Sequence, residues 1–584
     1  MIRSVSFEGN ATLSGSDLKD QMIQKGRGWF AEKILRREAF YYSSVLMDKD
    51  IEALTRFYQG EGFLGARVAA PILEKDDDHQ AVKLRISIDE GKAVFIRRIA
   101  QDLAGDSVLA GIIETFRVKH ARDARIRSGN RFRDEDFLLE RRRILDYLGE
   151  SGYPHATVEN RLSVTSPPDS VDVTWRIAGG PSCVFGPAMI IGNERISRDL
   201  IAGSLRFKAG DPFKASQISD SQRRIYSLGQ FSVVSFKPML SEDRSAIVPV
   251  NVLIREAPAT KVKVGGGYGK EDGIRGFLEL ERLSFLGGAR RLALDAKHSS
   301  LEPINVTLTF TQPEAPLRNS DFVLRNYFVR QDEPGYSIDR IGASPTIEWN
   351  LRDDLYGSFA YTLENANLKS SASSDTTDSS QAVQDSLYDK SSLSFALTRT
   401  TGKPQFDPIR GSFNAIRLMY SGLPPSRYKF VKAIWDTRRY DELREGLVMA
   451  SRVKVGYLQS FDADGFVPVE ERFTSGGSNS VRGWKRSELG PLDEAGNPLG
   501  GKSLLEGSFE FRWGGLGNLT PVAMLDFGNV WEQTGFYPVN ELRYSAGAGL
   551  RFRTPIGPIR LDVAKPVSRE SLPTQWNFSI GQAF

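Results

Sequence analysis

Cysteine is nearly absent, with one residue, Cys183, in 584. That excludes an intramolecular disulfide and a cysteine-built zinc cluster, and it leaves the compartment open, because oxidising compartments do not require disulfides. Histidine is scarce as well. His79, His120, His155 and His298 are scattered without ligand spacing, so no metal site is expected. A dominant charge is missing too: 77 Lys and Arg stand against 73 Asp and Glu, a net +4. No basic stripe with interleaved aromatics occurs, so nucleic acid is not an expected partner. No apolar run reaches the roughly 18 residues of a spanning helix. The mean hydropathy of -0.33 looks soluble, but a transmembrane barrel looks the same, since its lumen-facing half is polar. No export signal is expected within this chain, because Ile2 to Phe7 already reads as a strand.

What is present begins with a repeat. Length alone suggests about three to five domains. Within residues 1–257 a helix-like stretch ends three times in glycine and an aromatic. The first two copies are Gly62-Phe63-Leu64-Gly65-Ala66-Arg67-Val68 and Gly152-Tyr153-Pro154-His155-Ala156-Thr157-Val158; the shorter third is Gly229-Gln230-Phe231. The glycine supplies a left-handed helix end, and the aromatic packs back on the last turn. Apolar residues fall at helical spacing before it: Ile51, Leu54, Phe57 and Tyr58, then Phe137, Ile144, Leu145 and Leu148. Each unit closes with an apolar strand, at 82–89, 171–178 and 247–255. The order strand, helices, strand, strand predicts small α+β modules of roughly 75–90 residues.

From Ala259 onward period-two alternation replaces helical periodicity. Leu542, Tyr544, Ala546, Ala548, Leu550 and Phe552 alternate with Arg543, Ser545, Gly547, Gly549, Arg551 and Arg553. Connections alternate between short turns, such as 514–518 and 554–558, and long loops at 369–389 and 466–502. Counting strands gives sixteen between Lys261 and the end of the chain, an even number that brings both barrel ends to the side of the modules. The fold expected is three α+β modules at 1–91, 92–180 and 181–257, followed by an all-β transmembrane antiparallel β-barrel at 258–584.

The run Phe473-Thr-Ser-Gly-Gly-Ser-Asn-Ser480 leads into Val481-Arg482-Gly483-Trp484. Such a loop, set between strands with one apolar and one charged face, is expected to fold back into a polar lumen. Arg482 then needs carboxylates, and the candidates are Asp526 and Glu510, each on the polar side of its strand. A guanidinium binds a carboxylate through two parallel hydrogen bonds.

These features resemble the BamA/TamA family of outer-membrane protein assembly factors. The Val-Arg-Gly-aromatic loop is similar to the family's loop motif, and Asp526-x-Gly528 to its usual partner strand. Asp407-Pro408-Ile409-Arg410-Gly411 fits a segment common in these proteins, and Trp576-x-Phe578 ending in Phe584 looks like an outer-membrane assembly signal. The modules resemble POTRA (polypeptide-transport-associated) domains. Three of them imply a TamA-like member, while the opening Phe7-Glu8-Gly9-Asn10 is closer to BamA-type modules.

The resemblance implies a bacterial outer-membrane location with periplasmic modules, no enzyme activity, no catalytic residues and no cofactor. Expected partners are the lipid bilayer, unfolded outer-membrane or secreted clients, and an inner-membrane-spanning TamB-like protein or periplasmic lipoproteins. The expected mechanism is β-augmentation at module edges and at a seam between the first strand (Val264, Gly265, Gly266, Gly267, Gly269) and the last (Phe578, Ile580, Phe584). Two other classes compete. A two-partner-type secretion pore predicts a single exoprotein client and conductance that rises when Val481–Trp484 is displaced. A surface enzyme or adhesin on a passive barrel needs a catalytic cluster or further domain. Gly265-Gly-Gly-Tyr-Gly-Lys270 superficially resembles a phosphate loop, but Glu271 follows where Ser or Thr would hold magnesium. Arg141-Arg142-Arg143 reads as a solvated helix face, and no Gly-x-Ser-x-Gly elbow occurs.

Overall fold

A computed structural model of the chain describes residues 2–25, 41–76, 81–103, 105–165, 169–317, 319–370, 386–405, 407–514, 518–552, 559–567 and 573–580. Phe584 of the expected last strand lies outside them, as do the expected turn 554–558 and most of the loop 369–389. The chain divides into two compact units, one holding most of residues 1–255 and the other running from Glu256 onward with the short pieces 194–197 and 228–232.

The first unit holds three small sheets with one plan. In each, the last strand in chain order is central and pairs in parallel with the first: Ile2–Glu8 with Ala81–Asp89, Phe95–Asp102 with Ser170–Ala178, and Val184–Ile191 with Ile247–Glu256. Arg67–Val68, Thr157–Val164 and Phe231–Pro238 flank those central strands on the other side. A parallel pair needs a crossover, and helices supply it. They are Gly15–Gln21 and Ser44–Gly60 in the first repeat, Ser107–Lys119 and Asp134–Glu150 in the second, and Arg198–Gly203 and Ala215–Ser227 in the third.

Helix Ser44–Gly60 buries Met47, Leu54 and Tyr58, while Ile51 and Phe57 pack at the margin of the same core. Its one buried carboxylate, Asp50, accepts from the main-chain N–H groups of Ile23 and Gln24 at 2.6 and 3.1 Å, as burial of a charge requires. The helix ends as its glycine dictates. Gly62 has φ 91° and Gly152 φ 96°, and the N–H groups of Phe63 and Tyr153 return to Tyr58 and Leu148 at 2.9 Å. Gly62 has a second reason to lack a side chain: a Cβ there would strike the carbonyl oxygen of Phe132 in the next repeat. Glu61 fixes the same junction through Arg131 and Arg133, both at 2.9 Å.

The second unit contains sixteen antiparallel strands in sequential order, from Thr260–Gly269 to Gln575–Ile580. Along them the usual polarity of a folded protein is inverted. Phe509, Phe511, Leu525, Leu561 and Trp576 are exposed, while Glu510, Asp526, Arg551, Arg560 and Asp562 are at most 1% exposed. Apolar residues outside and charges inside, alternating at period two, give a barrel whose outer wall suits hydrocarbon and whose lumen is polar. Among the described residues no helix is long and apolar enough to cross a membrane.

The glycine-rich first strand is not loose on its inner-neighbour side. Every residue from Thr260 to Gly269 is in register with Gly273–Leu283, and the Phe277 ring covers Gly265 directly opposite. Its other side differs. Thr260–Gly269 and Gln575–Ile580 approach each other, so the barrel is nearly closed, yet among the described residues no hydrogen-bonded ladder joins them.

Candidate functional site

The loop between strands Leu447–Ser460 and Ser503–Trp513 folds into the lumen and is held at both walls. On one side the short turn Val469–Glu471 presents Glu471 to Lys390 at 2.5 Å and Lys432 at 3.4 Å, and Lys390 also meets Glu364 at 2.9 Å. On the other side lies Val481-Arg482-Gly483-Trp484. Arg482 donates through Nε and Nη2 to the two oxygens of Asp526 at 2.7 and 2.6 Å, and its own main-chain N–H reaches the same carboxylate at 3.0 Å. Nη1 is hydrogen-bonded to Glu510, and Ser508, in register opposite Asp526, donates to it at 2.6 Å.

The sequence explains why the loop fits there. Asp526 and Gly528 point to the same side of strand Leu519–Trp531 and serve adjacent loop residues. Asp526 takes Arg482, while Gly528 leaves room for Val481, whose Cγ2 would lie 3.0 Å from a Cβ at that position. Gly483 lies on strand Arg543–Phe552, where a Cβ would come within 2.7 Å of Ser545 Cβ. Gly549, opposite Asp562, has no room for a side chain beside that carboxylate. Val481, Trp484 and Leu489 then form a small apolar cluster that shields the fork.

The charge network is larger than its sequence-legible part. Arg551 binds Asp562 and reaches Glu510 at 3.3 Å; Arg512 meets Glu510 at 3.0 Å and Asp407 at 3.7 Å; Arg560 meets Asp562 at 3.2 Å. The guanidinium groups of Arg482, Arg512, Arg551 and Arg560 thus enclose Glu510, Asp526 and Asp562, all withdrawn from solvent. Such a network is stable only while complete, because a remaining charge would be buried without its partner. Arg551 was read only as one of the polar residues alternating along its strand, and Asp562, Arg560 and Glu471 escaped sequence reasoning. The one available signal was the alternation Arg560-Leu561-Asp562, which places two charges on the lumen side of a late strand. Among the described residues no group of His, Cys, Asp and Glu is arranged to hold a metal ion.

The seam residues lie apart from this cluster. Val264, Gly265, Gly266, Gly267 and Gly269 occupy the first strand, and Phe578 and Ile580 the last.

Residues 284–584, more than half of the chain, match the Omp85 superfamily domain. The chain belongs to the Omp85 superfamily. A second model, the surface antigen variable number repeat of the POTRA type, matches residues 1–91 and 184–257. The Omp85 chain is 24% identical to outer membrane protein assembly factor BamA of Nitratidesulfovibrio vulgaris, covering 100% of this chain and 73% of the relative. It is 26% identical to the BamA of Neorickettsia risticii, covering 97% and 75%. Its fold is similar to the crystal structure of BamA from Haemophilus ducreyi lacking POTRA domains 1–3, at TM-score 0.64 and 19% identity over 84% of this chain and 99% of that one. It is a member of the BamA/TamA family, and these similarities do not separate a TamA-like from a BamA-like subtype. The barrel belongs to the bacterial outer membrane and the POTRA repeats to the periplasm. The relatives support a role in outer-membrane protein assembly.

Proposed function

We propose that this Omp85 protein inserts or exports β-rich clients by strand addition, first along edges of the periplasmic modules and then at the barrel seam. The observation that carries the reading is the contrast around the sheet. Every sequential neighbour is joined by a ladder, whereas among the described residues the pair that would close the barrel is not. Unpaired main-chain groups are costly in hydrocarbon, so an end strand with free donors and acceptors favours an incoming strand. Val264, Gly265, Gly266, Gly267 and Gly269 form one lip; Phe578, Ile580 and, by extension, Phe584 form the other. Val481, Arg482, Gly483 and Trp484, anchored on Asp526 and Glu510, keep the lumen loop in place. The working division is three POTRA modules at 1–91, 92–180 and 181–257 and a barrel at 258–584. The matches at 1–91 and 184–257 and the shared parallel strand pairing support it.

Clients are unfolded outer-membrane or secreted proteins. A TamB-like inner-membrane-spanning protein or periplasmic lipoproteins are the proposed accessories, and co-purification from native membranes identifies which. The mechanism is tested with cysteines at Val264 and Ile580 joined by a reducible cross-linker in a Cys183→Ser background. Assembly of a client barrel, read from its unheated gel mobility, falls when the seam is locked and recovers on reduction. Undiminished assembly through a locked seam rules the mechanism out, and export of a single exoprotein under that lock favours the secretion pore instead.

A further inference from the structure

We propose that the tip of the lumen loop, Ser478-Asn479, is an internal strap across the seam, and that Glu271 is the residue that fastens it. The inference rests on the reading that the seam opens.

The turn 270–272 joins the first barrel strand to the second. Its Glu271 accepts a hydrogen bond from the main-chain N–H of Ser478 at 2.7 Å. The carbonyl of the same residue accepts from Arg560, on the penultimate strand Ile559–Pro566. Asn479 adds a side-chain acceptor for Arg560 at 3.3 Å, and its carbonyl accepts from Arg452 at 3.0 Å. A single residue, Ser478, therefore bridges elements that lie on opposite sides of the unladdered gap. Gly477 makes this approach feasible. It has φ 103°, and a Cβ there would lie 3.0 Å from Glu271 Oε1. The neighbouring Lys270 forms a second tie at the barrel surface. Its Nζ donates to the Trp576 carbonyl at 2.8 Å and sits 4.5 Å from the centre of the Trp576 ring.

These bonds differ in kind from the Arg482 fork. The fork holds Arg482 against strands Ser503–Trp513 and Leu519–Trp531, with a longer contact to Asp562 on Ile559–Pro566 at 3.6 Å, all on the same side of the gap. The strap consists of charge-assisted bonds made by the loop tip to both sides of it. Parting the first and last strands must stretch the Glu271–Ser478–Arg560 chain, so the seam opens readily only when the loop tip lifts. Glu271 and Ser478 are positioning residues: they set how often the lips part and touch no client. A loop displaced from within thereby licenses opening to the side.

Hydrogen exchange of the full chain in lipid nanodiscs tests the strap without a client. Glu271→Ala is expected to speed exchange of main-chain amides in 260–269 and 575–580 by about tenfold, the effect of losing one charge-assisted bond, and to leave 503–531 unchanged. Glu271→Gln, which keeps an acceptor for Ser478 but not the charge, falls between. Lys270→Met is expected to act in the same direction. Unchanged exchange at both end strands overturns the strap, and so does a rise spread over the whole barrel, which marks a merely structural role. Faster exchange at the lips in a protein whose cross-linked seam still assembles clients upholds the strap and refutes the mechanism of assembly, so the two fail separately.

Discussion

Arg482 and Asp526 meet as a planar fork on a carboxylate, with both side-chain bonds at or below 2.7 Å and a third from the arginine's own main-chain N–H. Removing the carboxylate leaves a buried cation. Asp526→Ala is expected to lower barrel stability by about 3–5 kcal/mol, the range for breaking a buried pair. Arg482→Lys, which keeps the charge but cannot make two parallel bonds, loses less. The temperature at which the folded band disappears on semi-native gels measures both.

Gly483 is set by space. Its missing Cβ would come within 2.7 Å of Ser545 Cβ, with Pro566 N at 3.2 Å. Gly483→Ala is expected to lift the loop and expose 474–486 to added protease. Ser545→Gly in the same chain restores part of the protection, since it removes the nearest obstacle, and a double-mutant cycle should show coupling on the order of 1 kcal/mol.

Glu90 gives the first module a sign-defined pH dependence. Burial alone would raise its pKa, but hydrogen bonds from the Thr12 N–H at 3.0 Å and the Tyr58 hydroxyl at 3.1 Å outweigh burial and hold it below the usual carboxylate value. A depressed folded-state pKa contributes stability above the unfolded value and loses it as pH falls through the folded one. Exchange of amides around Thr12 is therefore expected to accelerate as pH drops below the ordinary carboxylate range. Glu90→Gln should accelerate it at neutral pH and abolish that acid step.

The junction of the first two modules is expected to depend on Gly62. At φ 91° any side chain is strained, and a Cβ there would also strike the Phe132 carbonyl. Gly62→Ala should broaden the distance distribution between spin labels placed in modules one and two, while far-ultraviolet circular dichroism stays unchanged.

Much of this architecture was legible because two periodicities carry it. Glycine-aromatic helix ends marked the modules, and strict alternation from Ala259 marked the barrel, including the inverted polarity around Glu510 and Asp526. The helix face in the first module was read slightly off centre: Met47 and the hydrogen-bonded Asp50 are buried where Ile51 and Phe57 were expected to be central. A carboxylate satisfied by distant main-chain N–H groups leaves no mark on an apolar pattern. Glu471 was hidden because its partners, Lys390 and Lys432, lie on strands remote in sequence. Arg560 pairs with Asp562, which also binds Arg551 of the adjacent strand, and only the loop folded into the lumen joins them to Ser478 and Arg482. The cover that Phe277 gives Gly265 was not legible either, because the two meet across a hairpin whose register a sequence does not display.

Strand capture at the seam is tested most directly by photo-cross-linking during assembly. A benzophenone side chain is placed at Val262, Val264 or Tyr268 of the first strand and, as control, at exposed Leu418 on a distant strand. If clients enter by strand addition, adducts with the client's terminal strand form from the first-strand positions while assembly proceeds, and not from Leu418. Client assembly with no first-strand adducts, or with equal capture at Leu418, contradicts it.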